Sequence, residues 1–131
     1  MQSKILIIED NEQNMYLMTF LLESHGYDIV QADNGKDGIH RAKEIQPDAI
    51  LLDIQLPELN GYQVAEELRK DHSLGNIPII AVTSYAMPGD KEKILAAGAA
   101  GYIEKPINPE SFISQLQEYL SPSIRQEEKE I

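Results

Sequence analysis

The sequence predicts an α/β fold, a doubly wound parallel sheet of five strands with helices on both faces. Two observations predict it. Short, nearly continuous apolar runs alternate with longer amphipathic segments, five times over, in the order strand then helix. The runs are rich in Ile and Val and shorter than a helix needs, which suits strands covered on both faces. Right-handed crossovers then leave few topologies.

Taken in order, residues 5–8 form the first strand and residues 11–25 the first helix, closed by Gly26 where a left-handed helix end favours glycine. Residues 28–32 are a weaker second strand. The Asn34-Gly35 turn leads into a helix over 36–45. Residues 49–52 make the third strand and 61–71 the third helix. The fourth strand covers 77–82, followed by a helix over 90–97 that ends at Gly98. Residues 99–103 are a weaker fifth strand. Asn108-Pro109-Glu110 then reads as N-cap, first helical position and first-turn acid of a helix over 109–120.

The chain has 131 residues, enough for one domain with a hydrophobic core. We assign that domain to residues 1–120 and read the polar 121–131 as a flexible tail or the start of a linker. No internal repeat is visible. A net charge of −11 with no basic run disfavours nucleic acid as a partner. No apolar run approaches the roughly 20 residues that span a bilayer. The N-terminal apolar stretch meets acids too early for a signal peptide. The absence of cysteine excludes disulfides, zinc–thiolate sites and thiol catalysis. A cytoplasmic location and no membrane association are the expectations.

In a parallel α/β sheet, ligands bind beyond the carboxyl ends of the strands. Glu9 and Asp10 follow the first strand, Asp53 ends the third, Thr83 follows the fourth, and Lys105 follows the fifth. The second strand offers no comparable group. Three carboxylates at one edge repel one another, and a divalent cation would hold them ionised. Oxygen ligands without His or Cys favour Mg²⁺ or a similar hard ion. With Lys105 opposite, such a pocket can neutralise a phosphoryl group from two sides, which is most of what phosphoryl transfer requires. A carboxylate can be the nucleophile, giving an aspartyl phosphate.

These motifs resemble the receiver domains of two-component response regulators. The matching pieces are IIEDN at 7–11, LLDIQLPELNGYQ at 51–63, AVTSYA at 81–86 and GYIEKPI at 101–107. Each is weak alone; their placement at matching strand ends makes the set specific over about residues 4–120. The resemblance implies a flavodoxin-like (βα)5 sheet of order 2-1-3-4-5. It implies Asp53 as phosphoacceptor, and Glu9, Asp10, Asp53 and the backbone carbonyl of Gln55 as ligands of Mg²⁺, for which Mn²⁺ can substitute. Thr83 would bind the phosphoryl oxygens and Lys105 would pair with Asp53 and then with the phosphoryl group. Tyr102 would be the aromatic that turns inward as Thr83 moves, and the Lys105–Pro106 peptide would be cis. The implied partners are a histidine kinase or histidine phosphotransfer protein and an output protein, with phosphorylation-dependent homodimerisation as a further route. The implied chemistry is self-phosphorylation with slow autodephosphorylation, not enzymatic turnover.

Glu9 replaces the Asp of many members, and its extra methylene suggests an ion contact through water. Gln55 and Tyr85 occupy positions that influence phosphoryl lifetime in the family. Within it, the Glu9-Asp10-Asn11…Asn14 pattern and AVTSYAMPGD look most like stand-alone cell-cycle regulators and the receivers of hybrid histidine kinases. The start at Met1 and the short tail favour the stand-alone form.

Plainer readings exist for each residue. Glu9 and Asp10 could be helix-capping acids, Thr83 a capping hydroxyl, and Lys105 a surface residue. Tyr16, Tyr62 and Phe112 read as packing residues, as do Met15 and Met18. His25, His40 and His72 read as surface or helix-end residues. Part of the first helix could offer an apolar face to a kinase helix, although core packing accounts for most of it. Three rival functions remain in view. A flavin binder would need a phosphate loop where Glu9-Asp10-Asn11 stands. A haloacid-dehalogenase-type hydrolase would need its nucleophile and a second Asp after the first strand, not Asp53 followed by Gln55. The third is a degenerate receiver acting as a phosphorylation-independent interaction module, which would lack some of the residues present here.

Overall fold

The structure is a computed structural model that describes residues 3–84 and 88–120. Tyr85 and the tail at 121–131 therefore lie outside the described residues. The elements alternate as expected: β1 (Lys4–Ile8), α1 (Glu12–Ser24), β2 (Asp28–Ala32), α2 (Gly35–Ile45), β3 (Ala49–Asp53), α3 (Gly61–Lys70), β4 (Ile79–Thr83), α4 (Pro88–Ala96), β5 (Gly101–Glu104) and α5 (Phe112–Gln117). The five strands are parallel throughout, in the order β2-β1-β3-β4-β5.

Alternation along each strand sorts the core into two layers. Ile5 and Ile7 of β1 and Leu51 of β3 face α1 and α5, where Met15, Met18, Leu22, Phe112 and Leu116 complete one cluster. Leu6, Ile8, Ile50 and Leu52 face the other way, against Ala42 of α2 and Val64, Ala65 and Leu68 of α3. A smaller cluster of Ile54, Ala81 and Ile94 seats α4. All five residues of β3 and of β4 are buried, which is why these strands read as unbroken apolar runs.

Local chemistry sets the helix ends. Asn11, Asn34 and Asn60 cap α1, α2 and α3 by accepting from the N–H three residues on, and Asn60 and Gln63 form a reciprocal capping box. Gly26 and Gly98 stand in the left-handed region at φ 89° and 105°, as the sequence predicts.

Three elements start two or more residues later than the sequence reading puts them. β4 starts at Ile79, not residue 77, because the Ile77 N–H bonds back to Leu74 O at the end of a short 3-10 turn (His72–Leu74) that the sequence did not reveal. β5 starts at Gly101, because the Ala99 N–H turns back to Ile94 O. Asn108 does accept the Glu110 N–H through its side chain, but its carbonyl takes both Ser111 and Phe112 N–H groups. That turn delays α5 to Phe112.

Candidate functional site

The order of the strands reverses between β1 and β3, and the crevice beyond their carboxyl ends is where such a sheet binds ligands. β1 delivers Glu9 and Asp10 there, and β3 delivers Asp53. Glu9 and Asp53 are only 1% and 2% exposed, whereas Asp10 is open to solvent. One carboxylate oxygen from each of the three lies within 4.8 Å of the others. Lys105, just past β5, reaches across with Nζ 3.0 Å from Glu9 Oε1 and 3.3 Å from Asp53 Oδ1. Asp53 Oδ1 also accepts the Gln55 N–H at 2.9 Å, so the carboxylate is oriented from two sides.

Crowding and burial act on these acids together. Burial, then the neighbouring Asp53, push the Glu9 pKa up to about 7 against the opposing pull of Lys105. The same causes, in the same order, raise that of Asp10. Glu9 Oε1 is buried without a well-formed hydrogen bond among the described residues, and the Lys105 ammonium stands 3.0 Å from it. A set of hard oxygen donors with an under-satisfied buried oxygen and raised pKa values fits a small divalent cation such as Mg²⁺.

Thr83 is fully buried at the end of β4, one residue beyond the strand partner of Asp53, and its carbonyl accepts the Lys105 N–H at 2.8 Å. The Lys105–Pro106 peptide is cis. Tyr102, paired with Ala81, is set apart from the acids. It is half-buried against the Ile54, Ala81 and Ile94 cluster under α4. The structure thus gathers Glu9, Asp10, Asp53 and Lys105 at one point, with Thr83 at the adjoining strand end and Tyr102 on the neighbouring layer.

Some features were not anticipated. The Ser84 hydroxyl donates to Gln55 Oε1, joining the loops after β3 and β4 beside the acids. An open groove of about 580 Å³ adjoins Glu9 and Asp10, walled by Tyr16, Asp33, Asp37 and Arg41, so the end of β2 does contribute an acid near the site. Phe112, Met15 and Met18 are buried as expected, but Tyr16 is not a packing residue: it is 72% exposed, stacked on Phe20, itself 56% exposed, at 6.3 Å. A lone tyrosine in a helix with apolar residues all round carries no signal of which way it points. His40 and His72 are exposed, and His25 caps α1 with Nδ1 3.0 Å from Leu21 O.

A triad of acids facing a lysine at the switch point of a 2-1-3-4-5 sheet defines the Mg²⁺-binding phosphoacceptor domains of two-component signalling. The chain belongs to the response regulator receiver domain family, whose sequence pattern matches residues 5–117. It is 45% identical over 120 residues to the polar-differentiation response regulator DivK of Brucella anthropi, covering 92% of this chain and 98% of that one. Its fold is similar to the chemotaxis response regulator CheY4 of Vibrio cholerae, with TM-score 0.88, 27% identity, and coverage of 92% and 100% of the two chains. It is also similar to the receiver domain of the sensor histidine kinase PA1611 of Pseudomonas aeruginosa, whose structure has a magnesium ion coordinated in the active site cleft. There the TM-score is 0.82 at 34% identity, over 91% and 98% of the chains. Among the described residues no helix is long and apolar enough to cross a membrane.

Proposed function

We propose that this chain takes a phosphoryl group from a phosphohistidine onto Asp53 and signals through Thr83 and Tyr102. The observation that carries the reading is the convergence of Glu9, Asp10, Asp53 and Lys105 within contact distance of one another. The Asp53 carboxylate attacks phosphorus, an O–P bond forms, the N–P bond breaks, and the departing imidazole nitrogen takes a proton. Gln55 N–H and Lys105 hold Asp53 Oδ1 during the approach. Glu9, Asp10, Asp53 and the Gln55 carbonyl would hold Mg²⁺, which supplies positive charge against the phosphoryl oxygens when bound. The Lys105 ammonium neutralises the same charge from the other side, and the Thr83 hydroxyl binds a phosphoryl oxygen. Movement of Thr83 would make room for the Tyr102 ring and change the α4–β5–α5 face presented to an output protein, a population shift between two arrangements.

The phosphodonor would be a helix-bearing kinase or phosphotransfer protein that covers the exposed Tyr16–Phe20 pair beside Asp10. The test is intact-protein mass after incubation with acetyl phosphate, with and without Mg²⁺, for the native chain and for Asp53→Ala. We expect one added phosphoryl group that needs Mg²⁺ and is absent in a folded Asp53→Ala variant. A native chain that binds Mg²⁺ but accepts phosphoryl from neither acetyl phosphate nor a phosphohistidine protein would leave only the interaction module.

A further inference from the structure

Helix α4 has a small apolar footing. Among its described side chains Ile94 alone is buried, and Leu95 is half exposed. Two lysines of the helix instead lie over aromatic rings on its two flanks. Lys91 Nζ stands 5.2 Å from the centre of the Tyr102 ring on β5, and Lys93 Nζ stands 5.0 Å from that of Tyr62 on α3. Past the C-terminal end of the helix, the Gly98 carbonyl accepts from Arg69 Nε at 3.1 Å and Nη2 at 2.8 Å. These are charge-assisted hydrogen bonds to a half-buried side chain and make that end the firmly tied one. The N-terminal end follows Thr83 by a few residues, and of the two ring contacts Lys91 stands at mid-helix and Lys93 in the last turn.

We propose that Lys91 is a positioning residue that holds the Tyr102 ring in its half-buried place against α4, so that the ring must give up the lysine contact before it can turn inward. The proposal rests on the reading of Tyr102 as the aromatic that moves. Its basis is the attraction of an ammonium to the face of a ring, which at an exposed site changes an equilibrium by about two- to fivefold. The Tyr102 hydroxyl also holds the ammonium, raising its pKa, with the Glu104 carboxylate a weaker cause. Lys93 makes the same kind of contact with Tyr62, to which the proposed switch assigns no movement, and provides an internal control on the same helix. By linkage, whatever makes the inward ring easier to reach also favours the phosphorylated state, by at most the same factor.

The experiment follows the tyrosine ring signals of the full chain by NMR with ¹³C-labelled tyrosine, before and after addition of Mg²⁺ and acetyl phosphate. Tyr102 is assigned among the six tyrosines by its loss in Tyr102→Phe. Lys91→Met should move the Tyr102 signal part of the way to its phosphorylated position before any phosphodonor is added, and raise the level of phosphorylated protein by about two- to fivefold at limiting acetyl phosphate. Lys91→Arg should restore native behaviour, and Lys93→Met should leave Tyr102 where it is. A Tyr102 signal unmoved by Lys91→Met, or moved as far by Lys93→Met, overturns the proposal. A native Tyr102 signal that does not respond to phosphorylation overturns the moving-aromatic reading itself, and the proposal with it. The remaining tyrosine signals report in the same spectra that each variant is folded.

Discussion

Glu9 is the residue at which the demands of folding and of function conflict. Its carboxyl is almost fully buried and its pKa is raised from 4.5 to about 7. Without a metal the fold therefore favours the neutral form below about pH 7. The stability this contributes is fully present below about pH 4.5 and is lost as pH rises through about 7. Asp10 shifts in the same direction. In EDTA, Glu9→Gln should therefore gain on the native chain by about 1–3 kcal/mol between pH 5.5 and pH 8, measured as the difference in urea unfolding free energy. A constant difference across that range would show that Glu9 stays ionised in the fold. Metal binding has the opposite slope, because the ligand must be deprotonated. Mg²⁺ affinity of the native chain should rise over the same interval, and calorimetric titration at the two pH values measures it.

At the scale of elements, the loop from β3 into α3 couples the phosphoacceptor to a helix start. Asn60 caps α3 through its side chain, and Gly61, the first helical residue, donates its N–H to Ile54 O at 3.1 Å. A Cβ on Gly61 would lie 2.5 Å from Ile54 Cα and 2.6 Å from the Asp53 carbonyl oxygen, backbone atoms that cannot step aside. The two neighbours should thus separate stability from chemistry. Asn60→Ala should lower stability by about 1 kcal/mol and leave the rate of phosphorylation by acetyl phosphate unchanged. Gly61→Ala should lower stability by about 1–3 kcal/mol and slow phosphorylation as well, because the carboxylate rides on the displaced backbone. Equal rates in the two variants would refute the coupling. The same loop illustrates what sequence can and cannot convey. Asp53 and its neighbours in chemistry are legible, because each is a residue type that a strand end requires at such a site. The Ser84–Gln55 bond and the carbonyls gathered by Arg69 are not, because they join residues far apart in sequence whose types are ordinary for a surface. The start of α5 misled for a related reason: Asn108 makes the expected capping contact, but whether the chain then continues as a helix depends on burying Phe112.

At the scale of the whole molecule, a net charge of −11 means that folding gathers mutually repelling charge, and the three acids clustered at the switch point are part of it. Two stabilising effects of cations should then be separable. Monovalent salt screens the general repulsion and acts over hundreds of millimolar, since the Debye length falls from about 10 Å at 0.1 M to about 3 Å at 1 M. Mg²⁺ acts at the site, by mass action, and adds about 2.7 kcal/mol when its concentration reaches about a hundred times its dissociation constant. Thermal unfolding of the native chain should therefore rise with NaCl and rise further with MgCl₂ at matched ionic strength. Asp10→Asn removes one of the three clustered carboxylates at an exposed position, and so should keep the response to NaCl while losing the increment from Mg²⁺. Midpoints that depend on ionic strength alone, in both proteins, would mean that the acids form only a diffuse negative surface. A Mg²⁺ increment confined to the native chain ties the stability of the whole sheet to the pocket at the junction of β1 and β3.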